Sequence, residues 1–184
     1  MILSALLLPL LSAEPAHAWR HTRFVWDRDE FTADGDGLLW YLSDSLEDSW
    51  SDPDTSEIDV LEKSWDHWRI DAPCADLSAQ FGGILEGHHA GSTEDQRRVI
   101  YFDDPAGQLG DTTLGLTVTR SRGGDIAFSI FGDTYYYTGD SDIIFGKDIN
   151  WFSDEQIRNG QCSGGHSLEG VATHEIGHLF GMGH

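Results

Sequence analysis

His174, Glu175, His178, Gly181 and His184 spell H-E-x-x-H-x-x-G-x-x-H across the last stretch of this 184-residue chain. Residues four apart on a helix share one face, so His174 and His178 can reach a single metal ion together. Glu175 sits one step round, within reach of a metal-bound water as proton acceptor yet outside the ligand set. Gly181 suits a left-handed helix stop, which would turn the chain back and offer His184 as a third ligand. Three histidines leave one position of a tetrahedral zinc open to water, the arrangement of a catalytic rather than a structural site. Five fixed residues at fixed offsets make incidental core histidines the weaker reading, and a correctly placed Glu175 favours catalysis over binding alone.

These side chains need a helix with one face sealed in a core. Ser167 is a good N-cap for it, and Leu168, Ala172, Ile176 and Leu179 form an apolar face roughly opposite His174 and His178. Upstream, residues 56–68 read as a helix carrying Ile58, Leu61, Trp65 and Trp68 on one stripe. Ser153 and Gln156 make a capping box for a short turn. Residues 38–42, 75–81, 99–102, 114–119, 126–131, 135–137 and 141–145 read as strands, with a hairpin turn at Gly132–Asp133. Periodicity alone gives a fold class of α+β or mixed α/β.

At its metal motif the chain resembles a metzincin metallopeptidase of the matrixin kind. The resemblance runs from about Leu38 to His184 and implies a twisted mixed β-sheet with packed helices, the upper catalytic subdomain, with the active-site helix last. It implies a secreted zinc endopeptidase, with zinc on His174, His178 and His184 and Glu175 as general base. It also implies a protein or peptide substrate held extended along a sheet edge. By position that edge is residues 114–119, although an ordinary internal strand is an equal reading of the same residues. The family's Met-turn follows the third His, whereas this sequence stops there, so it reads as a fragment without the lower subdomain. No cysteine-switch motif occurs, and no His lies between His89 and His166 to serve a His-rich structural zinc site.

The expected organisation is a signal peptide at 1–18 and one domain at 19–184. Ile2 to Leu11 is an apolar run too short to span a bilayer, and Ala16-His17-Ala18 resembles a cleavage site, although no Lys or Arg precedes the run. Export would suit a disulfide between Cys74 and Cys162, with a pair of buried thiols as the alternative. A net charge of −21 argues against nucleic acid or an anionic membrane as partner. Asp125, Asp133, Asp140 and Asp142 could collect calcium, although acidic loop residues more often face water. Asp34-Gly35-Asp36-Gly37 reads as a turn, His88 and His89 as loop histidines, and His67 as ordinary surface. Oligomeric state is left open. The competing readings are a secreted zinc-binding module without activity and an acidic calcium-dependent adhesion or matrix protein.

Overall fold

The computed structural model describes residues 20–27, 37–45, 50, 52, 54–71, 77–88 and 95–184. The expected signal peptide, most of the 34–37 turn, His89 and Cys74 lie outside these residues. Cys162 is half-buried and has no sulfur partner among those described. The chain runs through β1 (Arg20–His21), β2 (Phe24–Val25), β3 (Leu38–Ser43), α1 (Glu57–Asp71), β4 (Ala79–Leu85) and β5 (Val99–Tyr101). It continues through β6 (Gly115–Ile130), β7 (Asp133–Phe145), β8 (Trp151–Phe152), α2 (Asp154–Arg158), β9 (His166–Ser167), α3 (Leu168–Leu179) and β10 (Met182–Gly183).

The architecture is α+β, a twisted mixed sheet with helices packed against it. Strands β4, β3, β5 and β7 lie side by side and parallel. β2 pairs in parallel with the start of β7, while β6 runs antiparallel along the other edge of β7. Central parallel strands are buried on both faces, which is why β5 and the end of β7 are continuous apolar runs. One face carries Trp40, Leu42, Ile100, Ile143 and Phe145, which pack against Leu61 and Trp65 of α1 and Leu168, Ala172 and Ile176 of α3. A smaller cluster of Val99, Tyr101 and Ile144 lies on the other face, against Tyr41, Leu85, Leu109 and Val118.

Two expectations about strands change. Residues 114–119 and 126–131 are the two ends of one strand, β6, and 135–137 and 141–145 belong to one strand, β7. The polar run between the apolar ends of β6 hides its continuity. There Gly123 and Gly124 take positive φ, and the chain bulges out between Ser121 and Ile126 before rejoining the ladder. Among the described residues the strand expected at 75–81 occupies Ala79–Leu85, and its parallel pairing to β3 shifts register at Gly82 and Gly83 before resuming at Ile84.

Helix α1 opens with a reciprocal cap: Ser56 N–H donates to Asp59 Oδ2 and Asp59 N–H to Ser56 Oγ, at 3.0 and 3.2 Å. Its Trp68 Nε1–H donates to Thr173 O at 2.8 Å, and Lys63 Nζ and His67 Nε2 reach the two oxygens of buried Glu169 at 2.6 and 2.7 Å. His67 is therefore partly exposed but not idle surface: it ties α1 to α3. His88 has an acidic neighbour that its sequence position does not suggest, Asp95, at 3.6 Å. The calcium expectation is not supported. Asp125, Asp133, Asp140 and Asp142 each stand near an arginine rather than gathering around one point: Arg122, Arg23, Arg120 and Arg120, at 4.0, 2.6, 3.1 and 3.9 Å.

Asp142 is buried and accepts a hydrogen bond from Val99 N–H at 3.1 Å. Burial, then the charge of Asp140, raise its carboxyl pKa from 3.8 to about 7, with Asp95 adding to the rise and Val99 N–H and Arg120 opposing it. The unfolded chain releases this proton first, so between the two values the folded state holds more protons and stability falls as pH rises. The loss amounts to roughly 4 kcal/mol over that window. Denaturant melts between pH 4 and 8 should show this decline, and Asp142→Asn should flatten it. At the other end of the core, Ser167 Oγ caps α3 by accepting Gly170 N–H at 2.8 Å. Ser167→Ala should lower the denaturation midpoint by the equivalent of about 1 kcal/mol.

Candidate metal centre

Helix α3 divides its faces between core and cleft. Leu168, Ala172, Ile176 and Leu179 are sealed in the core, none more than 2 % exposed. His174 and His178 emerge on the other side, half-buried, into a cleft of about 570 Å³. Their Nε2 atoms are 3.1 Å apart. After Leu179 the helix stops, and Gly181 takes φ +88°, a left-handed conformation that glycine adopts without strain. The returning chain brings in exposed His184, whose ring centroid lies 5.1 Å from that of His174 and 4.7 Å from that of His178. One ligand-capable atom from each of the three imidazoles falls within 4.8 Å of the others. The expected histidine set is thus assembled.

The hydrogen bonds fix one tautomer. His178 Nδ1 lies 2.6 Å from Met182 O, which can only accept, so Nδ1 carries a proton and Nε2 is the atom of the neutral ring left to bind a metal. Burial lowers the pKa of His174, an effect to which His178 and His184 add and which Glu175 opposes. A neutral imidazole is the form that binds metal. Two nitrogens on one tetrahedral zinc, each at about 2.0–2.1 Å, are separated by roughly 3.3 Å. The 3.1 Å between the His174 and His178 Nε2 atoms fits that spacing. Among the described residues these three histidines form the group able to hold a metal ion.

Glu175 lines the same cleft and is only 6 % exposed. Its carboxylate Oε2 accepts a hydrogen bond from Thr117 Oγ1 at 2.8 Å. Gly115, Leu116, Thr117 and Thr119 of β6 form one wall of the cleft, and Thr22 and Phe24 also line it. The sequence gives no sign of this last contribution. β1 pairs antiparallel with β10, Thr22 N–H and Oγ1–H donate to Gly181 O at 2.8 and 3.1 Å, and Trp26 Nε1–H donates to Leu179 O at 2.9 Å. The segment from Arg20 to Asp27 therefore braces the turn that presents His184. The pairing becomes visible only in three dimensions, because its partners are more than 150 residues apart.

Residues 69–184, more than half of the chain, match the family model described as Matrixin. The chain belongs to the matrixin family. Membership places it among the zinc metallopeptidases in general, with peptides as the substrate class, and the convergent histidines fit the metal that the family implies. The order of strands and helices, with the histidine helix at the C-terminal end, agrees with a matrixin catalytic domain. Neither the curated proteins nor the solved structures contain a match to this matrixin. Among the described residues no helix is long and apolar enough to cross a membrane.

The brace and the turn lead to a test. A Cβ on Gly181 would lie 2.5 Å from Phe24 O as well as forcing a side chain into positive φ. Gly181→Ala should cost more than about 1 kcal/mol of stability and loosen His184. Thermal melts and zinc titration by calorimetry would register both effects, and an unchanged zinc affinity would count against the role of this turn.

Proposed function

We propose that the protein is a secreted zinc endopeptidase in which His174, His178 and His184 hold the metal and Glu175 is the general base. The convergence of three imidazoles beside a buried carboxylate, inside an open cleft, carries this reading. Zinc held there would lower the pKa of a water to about 7 and polarise the scissile carbonyl. Glu175 would take a proton from the attacking water at its carboxylate and later pass it to the departing amine. Extended peptide would add to the outer edge of β6, which pairs only with β7 among the described strands and so leaves backbone donors and acceptors free. Export is supported by the usual extracellular setting of matrixins and by the apolar run at residues 2–11.

The direct experiment is cleavage of an unstructured protein substrate, with and without a zinc chelator, beside Glu175→Ala. The reading expects chelator-sensitive cleavage, with Glu175→Ala retaining one zinc per chain while its rate falls about 10²–10⁴-fold. Replacing any one of the three histidines by alanine should weaken zinc retention under dialysis. Zinc binding without cleavage by the unaltered protein would instead indicate an inactive zinc-binding module, and full activity of Glu175→Ala would remove that residue from the mechanism.

A further inference from the structure

We infer that Thr117 is a positioning residue for Glu175: its hydroxyl holds the carboxylate in place, and Gly115 leaves the room that this placement needs. The inference rests on the reading of Glu175 as general base. Thr117 Oγ1 lies 2.8 Å from Glu175 Oε2 and also 2.8 Å from the backbone O of the same residue. A hydroxyl has one proton and two lone pairs, so it can shift its donation between these two acceptors without leaving the residue. Side chain and helix backbone are thereby referred to one fixed point on the sheet. That point is rigid, because Thr117 pairs with Ile143 in the β6–β7 ladder and Ile143 is core.

Gly115 stands two residues earlier, on the same side of β6. A Cβ at that position would come within 3.0 Å of Glu175 Cγ and 3.2 Å of Oε1. Any larger residue would press on the Glu175 side chain and push it from its place beside Thr117. Glycine at 115 and threonine at 117 therefore act together, one by omission and one by a hydrogen bond. The need for such a device is electrostatic. A carboxylate on a flexible stem next to three metal-capable imidazoles would be drawn toward the cation they hold, where it would become a further ligand rather than a base. Among the described residues Thr117 is the hydrogen-bond partner of this carboxylate.

Thr117→Val removes the hydroxyl and keeps the shape, and Thr117→Ser keeps the hydroxyl. The three zinc-loaded proteins would be compared by steady-state cleavage of a fluorogenic peptide, by zinc content, by melting temperature and by crystal structure. Thr117→Val is expected to hold one zinc and to melt within a few degrees of the parent. Its KM should stay within about twofold while kcat falls roughly ten- to a hundredfold, the scale of a small misplacement of a reacting group. Its crystal structure should show the Glu175 carboxylate displaced, and Thr117→Ser should recover most of kcat with the carboxylate in place. Unchanged kcat in Thr117→Val, or an equal loss in Thr117→Ser, would overturn the inference. If the parent shows no chelator-sensitive cleavage, the endopeptidase reading fails on its own. The crystal structures then decide the restraint: displacement in Val but not in Ser supports it, and an unmoved carboxylate in Val overturns it. Should the valine variant not fold, Thr117→Ala supplies the same comparison.

Discussion

Two imidazole nitrogens that are to share one metal ion must sit close together, and this molecule holds His174 Nε2 and His178 Nε2 3.1 Å apart. They stay there because helix α3 cannot turn. Rotating it to separate the rings would expose Leu168, Ile176 and Leu179, each worth about 1.5–3 kcal/mol in burial. It would also break the contacts of Glu169 with Lys63 and His67 and the bond of Trp68 to Thr173 O. The core thus supplies the restraint against which a metal-ready cluster can be assembled.

The remaining elements serve the same helix from other directions. The β6–β7 hairpin supplies the cleft wall and the Thr117 contact, and its register is held by the buried end of β7. The N-terminal segment stitches the tail of the helix through Thr22, Trp26 and the β1–β10 pair. Both supports are backbone-rich and non-local, so they place atoms with less freedom than a single side-chain contact would. The acidic excess of the chain takes little part in the cleft, where Glu175 is the one side-chain carboxylate among the described lining residues.

Much of the site was legible before the fold was known, because its chemistry is local. The histidines, Glu175 and the glycine stop fall within eleven consecutive residues, so helix geometry alone relates all but His184 to one another. The same holds for the Ser167 cap, the Ser153–Gln156 capping box and the stripe of α1, each of which is decided within one or two turns. Strand boundaries were less legible. The bulged middle of β6 carries Arg120, Arg122 and two glycines, and nothing local states that the chain resumes the same ladder at Ile126.

By itself the sequence determined a helix that must bury one face and present His174, Glu175 and His178 on another, because periodicity and side-chain chemistry act over a few residues. It also determined that the chain turns left-handed after that helix, since Gly181 permits what other residues resist. Only the tertiary structure decided that Thr117 and Gly115 meet Glu175, that Thr22 and Trp26 secure the returning chain, and that the acidic residues of β7 face arginines. Those contacts join residues from 20 to 159 positions apart. Their partners are selected by sheet order and register, which depend on the packing of the whole domain.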